Sequence, residues 1–149
     1  MTASDPLGTP IVADLTQMQI ELVRRWHGEP IDNPFTGLEG LVCQQHAMNF
    51  RLWHEEDKAR SPAATDAEIA AVKRAIDGLN QRRNDEIEKI DDAIAEAIAK
   101  RIQAAEITLA AEAAINTETP GSAIDRLSIM ALRLFHYREQ YERHDVAAS

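Results

Sequence analysis

The amino-acid sequence predicts an all-α protein that forms an antiparallel helical bundle with one very long central helix. We expect this protein to be a homodimer. Four segments place apolar residues at spacings of three and four, the period of an amphipathic helix. Proline and glycine gather between these segments, and no segment shows the alternation of a half-buried strand. A chain of 149 residues fits one domain. We place that domain at residues 11–144, between a flexible tail (1–10) and a frayed tail (145–149).

The first two predicted helices are separated by a loop that contains proline. Apolar residues from Ile11 to Trp26 predict a helix that stops at Gly28. Residues 30–37 have the proline and turn chemistry of a loop. A second helix is predicted from about Leu38 to Arg60.

The third predicted helix is unusually long. Thr65 and Glu68 have the spacing of a capping box at its start. Helical periodicity then continues to about Ile115, and ~50 residues would form a rod of roughly 75 Å. A compact domain of this size has a radius of gyration of only about 15 Å. Either the rod breaks, at Gly78 or within residues 104–114, or its end protrudes and packs on a second subunit. We favour protrusion and a homodimer, because one glycine costs a helix only about 1 kcal/mol.

The last predicted helix begins after a break at residues 116–121. Thr119 is suited to cap it, and Pro120 to occupy its first position. The apolar pattern of this helix ends near Arg143.

Composition excludes several classes of partner. The net charge of −9 and the pI near 5.0 argue against nucleic acid and anionic membrane surfaces, which attract clustered positive charge. We expect neither a membrane-spanning helix nor a signal peptide. The single cysteine, Cys43, excludes an internal disulfide and suits the cytoplasm. We therefore expect a soluble cytoplasmic protein.

The second helix carries polar residues on its predicted inward face. On a helical wheel, His46, Asn49, Asp57 and Arg60 lie in the same arc as its apolar residues. An unpaired buried polar group costs a few kcal/mol, so each of these side chains needs a partner.

The other helices offer such partners. A polar stripe beside the isoleucines of the third helix repeats the spacing seen on the second helix: Asp77, Asn80, Asn84, Glu88 and Asp91. The last helix contributes Asp125, Ser128 and His136 near its apolar arc. The sequence therefore predicts a polar groove between the second, third and last helices.

The first functional hypothesis is a site for a phosphorylated small molecule, either a nucleotide or a sugar phosphate, with Mg²⁺. Mg²⁺ prefers carboxylate ligands together with substrate phosphates. The candidate metal ligands are Glu56, Asp57, Glu88 and Asp91. His46, Asp57 and Glu88 are the catalytic candidates, and His54 is an alternative acid–base group. The candidate ligand-binding residues are Asn49, Trp53, Arg60, Asn80, Arg83, Asn84, Thr119, Gly121, Ser122, Asp125 and Arg126. Among them, the helix start at 119–122 would offer free N–H groups to an anion.

The second hypothesis is a non-catalytic interaction module. Its polar stripes would form a buried network that fixes helix register, and the alanine-rich end of the long helix would be the dimer surface. This hypothesis predicts internally paired carboxylates with no cavity, whereas a binding site requires an open groove. Zinc is disfavoured, because there is one cysteine and no His-x-x-x-His pair, and His27, His136 and His144 show no ligand spacing.

Three segments, residues 46–60, 79–91 and 118–129, resemble a bacterial helical family described as domain of unknown function 4254. The resemblance covers nearly the whole chain beyond its N-terminal tail. It implies a helical fold and no assigned activity. By this resemblance the motif positions are His46, Asn49, Trp53, Glu56, Asp57, Arg60, Asn80, Arg83, Asn84, Glu88, Asp91, Thr119, Gly121, Asp125, Arg126 and Ser128. The acidic residues are also similar to those of the all-α nucleoside triphosphate pyrophosphatases, but the second helix lacks their Glu-x-x-Glu pair.

Overall fold

The computed structural model of the chain describes residues 11–106, 108 and 111–143. Within these residues the chain forms four helices and no strand, which confirms the all-α prediction for this part. The helices are α1 (Val12–Trp26), α2 (Gly37–Ala59), α3 (Asp66–Ala104) and α4 (Pro120–Tyr141). The two predicted tails, residues 1–10 and 145–149, lie outside the described residues.

Helices α1 and α2 run in the same direction. Gln19 of α1 lies beside His46 of α2, and His27, directly after α1, lies beside His54. The connection makes this possible, because ten extended residues reach about 33 Å, whereas the 15 residues of α1 span only about 22 Å. Residues 27–36 therefore return along the full length of α1.

Helix α4 is parallel to α2, since Asn49 contacts Asp125 and Trp53 stacks on His136 further along both helices. Helix α3 has the opposite direction.

Two contacts establish the opposite direction of α3. Arg83 pairs with Asp125, and Asp91, further along α3, contacts Gly121, which lies earlier in α4. The prediction that the whole bundle is antiparallel is therefore wrong, because α3 alone is antiparallel to the other three helices. Helix periodicity carries no information on direction, and the long α1–α2 connection allowed the parallel arrangement.

Helix α3 is 39 residues long, and the predicted capping box opens it. Glu68 N–H donates to Thr65 Oγ1, and Thr65 N–H donates to the Glu68 carboxylate. The helix ends at Ala104, well before the predicted end at Ile115. Glu106 adopts a left-handed conformation (φ 53°), which terminates a helix. The alanine-rich sequence offers few large side chains for packing, and packing supplies most helical stability in proteins.

The apolar core lies in two clusters along the bundle. One joins α1, α2 and α4 around Leu22, Phe50 and Leu132, and the other joins all four helices around Val42 and Ile90. The predicted cap of α4 is present, since Ser122 N–H donates to Thr119 Oγ1 (3.2 Å) and Pro120 is the first helical residue. The core therefore holds the middle of α2 against all three other helices.

None of the four described helices has the length and apolar composition needed to cross a lipid bilayer.

Candidate functional site

A buried polar network centred on Asp125 occupies the middle of the bundle. The Asp125 carboxylate is almost inaccessible and accepts hydrogen bonds from Gln45 Nε2 and from Asn49 Nδ2 (2.8 Å). Asn49 Nδ2 also lies 3.0 Å from Ser128 Oγ. Two residues of α2 and two of α4 thus meet in the polar centre that the helical wheel predicted for His46 and Asn49.

Arg83 of α3 balances the negative charge of Asp125 in this network. Its Nε donates to Asp125 Oδ1 (2.9 Å) and its Nη2 to Oδ2 (2.5 Å), a two-point contact between guanidinium and carboxylate. The hydrogen bond to Asp125 is the main reason that the pKa of Arg83 is raised. The Arg83 side chain is 26% exposed, against 7% for Asp125, so Arg83 links the buried carboxylate to solvent.

His46 is fully buried beside this network. Its Nε2 lies 2.9 Å from the carbonyl oxygen of Gln19, so Nε2 carries the proton of the neutral ring. Its Nδ1 then accepts from Ser128 Oγ (2.5 Å). Burial lowers the pKa of His46 to about 4. At neutral pH His46 is therefore an uncharged hydrogen-bonding group that joins α1, α2 and α4.

An interhelical groove opens directly above the network. It is a pocket of about 190 Å³ between α2, α3 and α4. Five of its lining residues were predicted from the sequence: Asn49, Trp53, Glu56, Asn80 and Arg83. The other lining residues are Leu52, Ile129, Leu132 and Arg133. The structure thus brings these five candidate residues together at one opening.

Several other candidates for the predicted site do not line the groove. Asp57, Asn84 and Glu88 are exposed. Asp57 lies 3.7 Å from Arg60 on its own helix, where their side chains are 51% and 70% exposed. The prediction that Asp57 and Arg60 lie on the buried face of α2 is wrong. His27, just after the end of α1, lies beside His54 of α2. The last turn of α2 therefore extends past the end of α1, and α1 does not cover Asp57 and Arg60.

The N-terminus of α4 already holds an anion from within the chain. Asp91 Oδ1 accepts the Gly121 N–H at 2.6 Å, and the Ser122 N–H is taken by Thr119. A Cβ on Gly121 would lie only 2.7 Å from the Ile87 carbonyl oxygen, so glycine permits this close approach of α4 to α3. Nearby, the exposed Arg126 pairs with Glu118. The anion that this helix terminus binds in the structure is the Asp91 carboxylate, and a role for these residues in ligand binding stays a prediction.

A second cluster of ionisable groups, which the sequence patterns did not predict, lies at the other end of the same three parallel helices. His27, His54 and His136 each offer a ring nitrogen, and these three atoms lie within 4.8 Å of one another. Among the described residues, this is the one group of three or more metal-ligating side chains with such close ligand atoms. The predicted carboxylate ligands of Mg²⁺ form no comparable group in that part of the chain.

The histidine cluster is walled by aromatic rings. The Trp53 indole stacks on His136 (4.7 Å between centroids, 2° between planes), and Phe135 stacks on His27 (4.0 Å). Nε2 of His54 and Nε2 of His136 are buried without a hydrogen-bond partner. Burial, and then the proximity of His27, lowers the pKa of both His54 and His136. Both rings therefore favour the neutral form, which keeps a lone pair available.

The separation in sequence explains why the cluster was missed. His54 lies in α2, His136 lies in α4 and His27 directly follows α1, so no local motif joins the three residues. Only the parallel arrangement of α1, α2 and α4 brings their ends together, and periodicity cannot predict that arrangement.

Comparison with known proteins gives a family and no function. No curated protein and no solved structure matches the chain. Residues 39–149, most of the chain and all of the groove, match the family described as protein of unknown function (DUF4254). The chain therefore belongs to this uncharacterised family.

Proposed function

We propose that the interhelical groove binds a small phosphorylated molecule that also carries hydroxyl groups, such as a sugar phosphate. The observation that carries this proposal is the convergence of Arg83, Arg133, Asn80 and Glu56 from three helices on one pocket. Guanidinium groups are the usual partners of phosphate oxygens.

The two arginines of the groove differ in a way that suits an anionic ligand. Arg83 is held rigidly, because Nε and Nη2 bind Asp125 and Nη1 lies 3.5 Å from Asn80 Oδ1. Arg133 is exposed and makes no ion pair with any other described residue. Asp125 balances the charge of Arg83, so Arg133 supplies the uncompensated positive charge for a phosphate.

The other lining residues suit hydroxyl groups and a flat apolar surface. Asn49 and Asn80 present amides, Glu56 presents a carboxylate, and Trp53 presents part of its indole. A pocket of about 190 Å³ is smaller than the roughly 300–1,000 Å³ of sites for drug-sized ligands. The size favours a ligand no larger than a monosaccharide phosphate over a nucleotide.

Thermal melting with defined ligands tests the proposal. Glucose 1-phosphate, glucose, inorganic phosphate and ADP would each be added to the purified chain, with and without Mg²⁺. A ligand at about 100 times its Kd adds roughly 2.7 kcal/mol. In a chain of this size that raises the Tm by about 5–10 °C. We expect glucose 1-phosphate to give the largest shift.

Two arginine variants on α4 separate specific binding from general charge. Arg133→Ala should abolish the shift, whereas Arg138→Ala, which removes an exposed arginine of α4 outside the groove, should retain it. A shift that needs Mg²⁺ and is lost in Glu88→Ala would support the predicted metal ligands. The absence of any shift, or equal shifts in both arginine variants, would rule out the groove as an anion site.

Self-association is a second candidate function, favoured by the outer face of α4. Leu127, Met130, Leu134, Tyr137 and Tyr141 follow one another at spacings of three and four residues. The last four are exposed, with Tyr137 at 67% and Tyr141 at 90%. This a/d pattern is the one by which two helices pair. Sedimentation equilibrium, which measures mass in solution, tests whether the chain pairs with a second copy.

A further inference from the structure

We propose that His27, His54 and His136 form a binding site for a late first-row transition metal ion, with Zn²⁺ as the best fit. This site uses none of the arginines of the groove, and the two sites share only Trp53, which lines the groove and stacks on His136. Imidazole nitrogens are preferred ligands of Zn²⁺, Cu²⁺ and Ni²⁺, whereas Mg²⁺ and Ca²⁺ take oxygen.

The geometry is close to that of a three-histidine zinc site. Three Zn–N bonds of 2.0–2.1 Å in a tetrahedral arrangement place the nitrogens about 3.4 Å apart. The three nitrogens here already lie within 4.8 Å of one another. Small side-chain rotations would close the difference. The stack of His136 on Trp53 permits such a movement, because the ring can slide in its own plane.

Hydrogen bonding determines which ring nitrogens keep a free lone pair for a metal ion. His27 Nδ1 lies 2.6 Å from the carbonyl oxygen of Val23, which accepts only, so Nδ1 carries the proton and Nε2 keeps its lone pair. A backbone carbonyl that binds the second nitrogen is the usual orienting contact of a metal-bound histidine. Nε2 of His54 and of His136 is buried without any partner, so each atom lacks the hydrogen bond that it would make in water. A metal ion would satisfy both.

The surroundings suit a cation that enters from solvent. His27 is exposed, while His54 and His136 are half-buried, so the cluster has one open side and an apolar rear wall. Glu139 Oε1 lies 3.9 Å from His136 Nδ1, and the charges of Asp57 and Glu139 favour a cation at His54 and His136, whereas those of His27 and Lys58 oppose one at His54. Three histidine ligands would leave the fourth position of a tetrahedral ion open to water or another small ligand.

Titration of the untagged, metal-free chain with Co²⁺ and Zn²⁺ tests the site. We expect one equivalent of Co²⁺ to bind and to give the visible absorption of a tetrahedral ion, and one equivalent of Zn²⁺ to displace it. His54→Gln and His136→Gln should each weaken binding by more than about tenfold. His144→Gln is the control, since it removes a histidine outside the described residues.

A measurement on the parent chain avoids dependence on the folding of the variants. In ¹⁵N NMR of the imidazole rings, Zn²⁺ should shift the Nε2 signals of His27, His54 and His136 and leave those of His46 unchanged. Three results would each overturn the proposal: no stoichiometric binding, binding that is equal in all three glutamine variants, or Zn²⁺-induced shifts confined to His144.

Discussion

His46 illustrates how one buried side chain can set the behaviour of a protein in acid. The imidazole is fully buried and neutral, with Nε2 donating to Gln19 and Nδ1 accepting from Ser128. Protonation would place a second N–H against the Ser128 hydroxyl and a charge in the core. The folded state therefore resists protonation of His46, as its pKa of about 4 shows.

The stability of the fold should consequently fall in mild acid. The pKa of His46 is about 4 in the folded state and 6.5 in the unfolded state, so the unfolded state binds the proton more readily. Stability is fully present above pH 6.5 and is lost as the pH falls toward 4, by at most about 3 kcal/mol. Between pH 7 and pH 5 the protonation of His46 should cost about 2 kcal/mol of stability, which urea unfolding at the two pH values measures.

His46→Gln isolates the contribution of that single ring. Glutamine cannot be protonated in this range, so the variant should lose about 2 kcal/mol less than the parent between pH 7 and pH 5. His54 and His136 also have lowered pKa values, and they act equally in both proteins. An identical pH dependence of parent and variant would refute the assignment.

At the scale of single residues, the helical wheel predicted the buried polar residues of α2 correctly only in the part of α2 that other helices cover. The wheel placed His46, Asn49, Asp57 and Arg60 in one inward arc. The first two are buried in the network, whereas the last two are exposed. A wheel treats every turn of a helix alike, but burial also depends on where the neighbouring helices end.

At the scale of the helix, the two glycines of α3 and α4 have opposite roles. Gly78 lies in the middle of α3, and a Cβ added there would have no neighbouring atom within 4 Å, so nothing requires glycine at this position. Gly121 is the second residue of α4, at a point where a Cβ would lie 2.7 Å from Ile87 O and 2.9 Å from Asp91 Oδ1. Only the second glycine is needed for packing.

The same substitution at these two positions should therefore change stability in opposite directions. Gly78→Ala should stabilise the protein by about 0.5–1 kcal/mol, because alanine loses less conformational freedom in a helix. Gly121→Ala should destabilise it by about 1–3 kcal/mol, because α4 must move away from α3. Urea unfolding of both variants measures the two changes. Equal effects at both sites would mean that the contact of α4 with α3 is not close-packed.

Helix starts were predictable from sequence, and helix ends were less so. The starts of α3 and α4 depend on local contacts of Thr65 with Glu68 and of Thr119 with Ser122, all within three residues. The end of α3 depends on where other helices stop covering it. Periodicity to Ile115 therefore overestimated its length.

At the scale of the whole molecule, the polar network joins all four helices. His46 binds the backbone of α1, Arg83 of α3 binds Asp125 of α4, and Asn49 of α2 contacts both Asp125 and Ser128. A slip of any helix by one turn would leave one of these groups buried without a partner. Loss of Arg83 from its pair would leave the charge of the buried Asp125 carboxylate uncompensated, so the network also opposes other registers.

The direction of the helices could not be predicted at this scale, nor could the histidine cluster that depends on it. Both follow from contacts between residues far apart in the chain, such as His27 with His136. The groove was predictable only in part: the helical wheels indicated that Asn49, Trp53 and Asn80 would converge, but the acidic residues Asp57, Glu88 and Asp91 expected with them do not line it.

The outer face of α4 is the part of the molecule that its own fold leaves uncovered. Four of the seven large apolar side chains exposed in the described residues lie there. The prediction of a dimer placed the contact at the alanine-rich end of α3, but exposed Met, Leu and Tyr side chains in an a/d pattern make α4 the better surface. A two-fold axis would place this face against itself, as in most homodimers.

We therefore expect the chain to sediment at twice its 16.6 kDa mass at micromolar concentration. Leu134→Glu should give a monomer with unchanged helical circular dichroism, because Leu134 is half exposed and a charge there opposes pairing without entering the core. Ile115→Glu is the matched control: Ile115 is 93% exposed but lies outside α4, so this variant should remain dimeric. If the parent chain is a monomer at 100 times that concentration, or if both variants behave alike, α4 is not the contact.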